Sequence, residues 1–185
     1  MSVETIPDER ECLELLEKYH TPNHIILHSI KVWEVAKLVG RGLLRQDHHV
    51  DMALLRASCL LHDIGKYPCI VEGGGYHDLR GEQILGEEGL QSVARIIVQH
   101  VVLRGPKDRP VAEEHVVFYA DKRVVHDEIV SLAERFVYLE QTYGRSDKAV
   151  RKLLEMKEET IKLEEKIFML LDFLPADVSG LIGLP

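Results

Sequence analysis

Residues 60–66 read Leu-Leu-His-Asp-Ile-Gly-Lys, and they close a largely apolar run that begins at Ala53. An imidazole and an ionised carboxylate side by side at the end of such a run are costly to bury unless something pairs with them. A divalent transition metal is one such partner, since His62 and Asp63 form a sensible N/O donor pair. Gly65 reads as the C′ glycine that stops the helix, with Lys66 just beyond the pair. A solvated helix end, with Asp63 exposed and Lys66 as a capping residue, accounts for this stretch equally well. The other histidines have to decide.

Composition bounds the problem. At 185 residues, 45% hydrophobic and 29% charged, the chain reads as one soluble globular domain with a real core. Aromatics are only 6%, and abundant Leu, Ile, Val and Ala suit helix packing. A net charge of −8 argues against a nucleic-acid partner, which needs a basic surface. It leaves room for a phosphate if a metal and a local cation supply positive charge. Cys12, Cys59 and Cys69 form no C-x-x-C pair, which fits a reducing compartment. The opening MSVETIPDER lacks a signal-peptide core, and no apolar run reaches membrane-spanning length. The cytoplasm is the expected location. Ten histidines in a chain of this length is many, and ligand histidines should show a pattern of spacing.

Taken in order, Asp8 is the expected cap of a first helix, and Pro22 or Asn23 opens a second that runs to about Leu44. His24 and His28 fall on one face of it, half of a zinc-type pair but without the Glu of H-E-x-x-H. His48 and His49 read as exposed loop residues. A third helix runs from about Val50 into His62-Asp63. Gly73-Gly74-Gly75 is a flexible connection, a surface loop or a lid, and no phosphate loop, because no Gly-Lys-Ser/Thr follows. Helices are expected over 78–87 and 92–103, with His100 on the apolar stripe of the latter. Residues 104–110 read as a loop. Residues 111–125 form an apolar helix that contains Asp121, for which Lys122 or Arg123 could supply a plain salt bridge. Two amphipathic helices follow over 127–143 and 147–173, the charge run of the second being a solvated face, and then a tail over 175–185. No convincing strand appears, so the expected fold class is all-α.

The donors His28, His62-Asp63, His77, His100 and Asp121 lie on separate expected elements. Their order, together with His28-Ser-Ile-Lys-Val, Leu61-His-Asp-Ile-Gly-Lys66, His77 before Gly81, Ile-Ile-Val-Gln-His100 and Tyr119-Ala-Asp121-Lys, resembles the HD-domain metal-dependent phosphohydrolase superfamily, of HDIG type. The resemblance spans roughly residues 20–130. It implies an HD-domain helical bundle of about seven helices with an extra long C-terminal helix. The whole chain, 1–185, would then be one HD-type domain with helices 127–173 packed on its core. Residue by residue, it implies one metal held by His28, His62, Asp63 and Asp121, and a second held by His77 and His100 with Asp63 bridging. Such donors suit manganese, iron, cobalt or nickel, and admit magnesium.

The implied activity is hydrolysis of a phosphate ester or anhydride, with a small phosphorylated molecule, foremost a nucleotide, as substrate. Metal-activated hydroxide would be the nucleophile, with Asp63 and Lys66 as catalytic residues. Lys66, Arg80 and Arg104 are candidates for phosphate contact, although Arg80 and Arg104 read equally well as surface arginines. His115 and His126 are close enough in sequence to Asp121 to be considered as the leaving-group acid, with helix-surface histidines the simpler reading. The Val-Val-Leu-Arg-Gly that follows His100 lacks the acidic and Gly-Tyr-Pro motif of the superfamily's cyclic-dinucleotide phosphodiesterases. Two alternatives stand beside the hydrolase: a di-iron oxygenase of HD type using the same six ligands, and a metal-dependent module that binds a nucleotide without turning it over. A homo-oligomer through the long C-terminal helix is compatible with the sequence.

Overall fold

A computed structural model describes residues 4–106 and 108–182; the first three residues, position 107 of the expected loop and the last three of the tail lie outside the described residues. Helix α1 (Glu9–Lys18) starts at Asp8, whose carboxylate accepts from the Glu11 amide at 2.9 Å while the Glu11 carboxylate accepts from the Asp8 amide at 2.7 Å. This reciprocal pair satisfies two amides that a helix start leaves free. Helix α2 (Asn23–Arg45) buries His28, Val32, Val35, Ala36, Val39 and Leu43 along one face, the periodicity expected of a core-facing helix. Helix α3 (Met52–Leu61) is capped by Asp51, which accepts from the Ala53 and Leu54 amides at 2.9 and 3.0 Å. It packs along α2.

The glycine of the opening stretch has a different task from the expected one. Gly65 has φ −77°, in the ordinary right-handed region, and begins helix α4 (Lys66–Val71). A Cβ there would lie 2.1 Å from the His77 carbonyl oxygen and 2.6 Å from the Gly81 amide nitrogen. Only glycine lets helix α5 (His77–Glu87) come this close to the turn that carries His62 and Asp63.

Four other expectations are corrected. The helix expected over 92–103 is α6 (Gln91–Ile97), and His100 lies in the turn after it. The His100 ring Nδ1 donates to the Ile97 carbonyl at 2.6 Å, taking the acceptor that a continuing helix would offer residue 101. Helix α7 (Glu113–Lys122) stops short because strands β1 (Val124–Val125) and β2 (Glu128–Ile129) pair antiparallel, Val124 opposite Ile129. These β-branched residues prefer the extended chain, and His126 makes the turn at φ 54°. Helix α8 (Leu132–Tyr143) therefore begins only at Ser131, whose hydroxyl accepts from the Glu134 amide at 3.2 Å. Helix α9 (Asp147–Phe168) ends five residues before the expected boundary and is followed by a short 3-10 turn, Pro175–Asp177, and helix α10 (Val178–Leu181). The fold is all-α apart from the two-residue strands; seven of the helices among the described residues have ten residues or more.

Apolar side chains form two clusters. One joins α2, α7, α8 and α9 through residues such as Val35, Val39, Val117, Phe118, Phe136 and Ile167. The other joins α1, α3, α5 and α6 through Leu16, Leu60, Leu61, Ile84, Val93 and Ile97. Helix α3 serves both, giving Leu55 and Cys59 to the first and Leu60 and Leu61 to the second. Each fully buried aliphatic side chain contributes about 1.5–3 kcal/mol, so both sides hold the end of α3 firmly.

Candidate metal centre

Four elements end or begin at the polar point where α3 stops. The end of α3 delivers His62 and Asp63, α2 delivers His28, and the start of α5 delivers His77. The turn after α6 delivers His100, and the last turn of α7 delivers Asp121. His62, Asp63 and His100 are essentially inaccessible, and His28 and Asp121 are buried. The six donors thus come together from across the chain in two triads, His28–His62–Asp121 and Asp63–His77–His100, each with ligand atoms within 4.8 Å of one another.

The two oxygens of Asp63 divide the work. Oδ1 lies 3.5 Å from both His77 Nε2 and His100 Nε2. Oδ2 lies 3.3 Å from His62 Nε2, 4.0 Å from His28 Nε2 and 2.5 Å from Lys66 Nζ. Asp63 is therefore placed to touch both triads at once. Asp121 Oδ1 closes the first triad, 3.1 Å from His28 Nε2 and 3.8 Å from His62 Nε2.

Backbone carbonyls fix the histidine tautomers. His62 Nδ1 donates to the Cys59 carbonyl at 2.7 Å, His28 Nδ1 to that of His126 at 2.8 Å and His100 Nδ1 to that of Ile97 at 2.6 Å. A carbonyl can only accept, so a proton sits on each Nδ1 and each ring turns its Nε2 to the cluster. Where Nε2 carries no proton, lone pairs face carboxylate oxygens at 3.1–3.3 Å, and the Nε2 atoms of His77 and His100 stand 3.0 Å apart. Such arrays of acceptors need a positive charge among them. Ligand atoms each about 2.1 Å from one ion lie about 3–3.4 Å apart, close to the spacing here. His62 Nε2 and both Asp63 oxygens are also buried without a hydrogen-bond partner, the Lys66 ammonium meeting Oδ2 only as an ion pair. The residues fit divalent metal.

Ionisation favours the same state. Burial alone would raise Asp63, but His62, Lys66 and His100 hold it well below the usual carboxylate range. Asp121 is also held well below that range against its burial, by Lys122, His28 and Arg135. Burial pushes His77 down to about 4, with His100 and Lys66 adding to the effect, so its ring is neutral. Burial opposes charge on Lys66, yet Asp63 and Asp121 outweigh it and hold the ammonium above the ordinary lysine value.

The triads open into a cavity of about 500 Å³. Lys66, His24, His126 and Arg135 bring cations or donors to its wall, while Ile25, Tyr138 and Leu139 form an apolar side. Gly74 and Gly75, both at positive φ, border it, so the triple-glycine connection does lie beside the site. His24 faces the cavity but belongs to neither triad, which sets aside the His24–His28 zinc pair. Two phosphate-contact candidates fall elsewhere. Arg80 is forked onto Glu72, Nη2 to Oε1 at 2.7 Å and Nε to Oε2 at 3.0 Å. Arg104 is exposed and borders a separate pocket of about 270 Å³ against α9. His115 also lies at that second pocket, its Nδ1 accepting from the Ala112 amide at 3.1 Å, whereas His126 is at the triads' cavity. Arg135 was not singled out from the sequence. Its spacing from Leu132, Tyr138 and Leu139 places it on the inward face of α8, and that was the signal available.

A family model described as HD domain matches residues 25–177. This chain belongs to the HD-domain family. The match runs beyond the last aspartate of the second triad's partner cluster and through α8 and α9. Among curated proteins, the HD-domain chain is 32% identical to a tRNA (cytidine(56)-2'-O)-methyltransferase of Thermoplasma volcanium, over 71% of this chain and 41% of that protein. It is 28% identical to the Picrophilus torridus protein of the same name, over 71% and 40%. It is 24% identical to an uncharacterised protein of Methanocaldococcus jannaschii, over 80% and 94%. The chain thus spans about two fifths of the methyltransferases it matches. No solved structure matches. Among the described residues no helix is long and apolar enough to cross a membrane.

Proposed function

We propose that this HD-domain protein is a metal-dependent phosphohydrolase acting on a phosphate ester or anhydride, foremost a nucleotide. The observation that supports this reading best is the pair of His/Asp triads joined through one carboxylate, with His62 Nε2 and both Asp63 oxygens lacking hydrogen-bond partners. His28, His62, Asp63 and Asp121 would hold one divalent ion, and His77, His100 and Asp63 a second. Metal bound there supplies positive charge to phosphoryl oxygens and makes water acidic enough to serve as nucleophile near neutral pH.

The chain's own groups account for the rest. Carbonyl contacts to Nδ1 keep three imidazoles turned and in the ligating tautomer. Lys66, charged at neutral pH and on the cavity wall, would meet negative charge as it grows on the phosphoryl group. His126 is the histidine near Asp121 that lines the cavity and would be the proton donor to the leaving group.

Metal analysis of the purified protein, coupled to a panel of nucleotides and phosphate esters, tests the proposal. RNA-derived nucleotides belong first in that panel, because two relatives are named tRNA methyltransferases. Phosphate release should be metal-dependent and should continue without oxygen; a strict oxygen requirement would favour the oxygenase. Asp63→Ala should lose both metal and turnover, by a factor on the order of 10³ or more. An Asp63→Ala protein with undiminished phosphatase activity overturns the assignment.

A further inference from the structure

We propose that Arg135, on α8, is a second cationic contact for the substrate phosphate, and that it tunes the site to a terminal, dianionic phosphate. This rests on the phosphohydrolase reading and assigns a residue outside the two triads.

Arg135 is held where a guanidinium should not be left wanting. Its side chain is only 12% exposed, and it lines the cavity of the triads. Its Nε is buried with no hydrogen-bond partner, and its ionic contact, Nη2 to Asp121 Oδ1, is long at 3.6 Å. Asp121 is already engaged. Its Oδ2 accepts from Lys122 Nζ at 2.8 Å, and its Oδ1 is turned to His28 and His62. A cation held in that triad would draw on Oδ1 and repel the guanidinium. The guanidinium is then short of acceptors at the wall of a cavity, with the planar fork that matches phosphate oxygens. Tyr138 steadies it, its ring centre 5.7 Å from Cζ.

Charge then selects the ligand. Lys122 offsets Asp121, and Lys66 and Arg135 together outweigh Asp63 before any metal is counted. A cationic, partly desolvated site gains more from a dianion than from a monoanion of the same shape. Phosphomonoesters are therefore favoured over diesters.

The test compares the manganese-loaded wild type with Arg135→Gln and Arg135→Lys. Readouts are metal content, inorganic phosphate binding by calorimetry, and kcat and KM on para-nitrophenyl phosphate and bis(para-nitrophenyl) phosphate. Arg135→Gln should keep its metal. It should weaken phosphate binding and raise the monoester KM tenfold or more, with the diester changing less than threefold. Arg135→Lys should recover part of the loss. Loss of metal in both variants, or equal changes for the two esters with phosphate binding unaltered, overturns the proposal. If the wild type hydrolyses neither ester nor any nucleotide of the panel, the hydrolase reading fails at this point. Phosphate binding then decides alone: a tenfold loss in Arg135→Gln supports the contact, and an unchanged affinity overturns it.

Discussion

Helix α7 carries two buried charged networks within one turn of each other, and they are built in opposite ways. Around Arg123 each guanidinium nitrogen has a partner. Nε donates to the Val130 carbonyl at 2.7 Å, Nη2 to the Pro175 carbonyl at 3.1 Å, and Nη1 to the Tyr119 hydroxyl, with Glu164 at 3.5 Å. Tyr119 in turn donates to Glu164 at 2.8 Å. This network ties α7 to the hairpin, α9 and the C-terminal turn. Around Asp121 and Asp63 the groups are just as buried, yet His62 Nε2 and both Asp63 oxygens have no hydrogen-bond partner. A closed network holds a fold together, whereas an open one of the same burial holds a place for something else. That contrast, more than burial or charge, separates the candidate site from the scaffold.

The contrast is broken most severely at Asp63. Along with the loss of turnover already described, Asp63→Ala should lower the metal-free protein's thermal midpoint only modestly, because the ammonium it leaves unpaired, Lys66, is 39% exposed and can turn to solvent. A large fall in that midpoint would make the open cluster a structural one. Arg123→Met should do the reverse. It leaves Glu164 without its cation and strands two carbonyls, so denaturant unfolding should show a loss of about 3–5 kcal/mol, while metal bound per folded molecule stays constant.

Gly65→Ala sharpens the comparison from a third side. The new methyl group meets the His77 carbonyl and the Gly81 amide, which must move apart at about 1–3 kcal/mol. Since His77 moves and His28 does not, metal stoichiometry should fall towards one per chain. The smallest effect concerns His115, a buried histidine whose ring nitrogen is used. Burial lowers its value, with Arg109 and Lys166 acting in the same sense and Glu114 against them. Below about pH 6.5 the unfolded chain binds this proton and the folded one resists it. The stability it contributes is therefore complete above that pH and is lost as pH falls. Thermal melts between pH 7 and 5 should show a shallower decline for His115→Asn than for the wild type.

The sequence by itself determined much of this. Helical periodicity, the cap at Asp8, and the order of six donors are local or compositional signals, and each residue carries them wherever the chain goes. Gly65, the end of α6, the hairpin and Arg135 were decided by tertiary structure. Gly65 needs no side chain only because α5 crosses it; His100 leaves the helix because its ring takes a carbonyl; Val124 extends because Ile129 lies opposite. The same holds for the tautomers and for which arginine reaches the cavity. A donor's identity is written in one residue, but whether its hydrogen bonds are met depends on atoms as many as 98 positions away, as between His28 and His126, and only the folded chain brings them together.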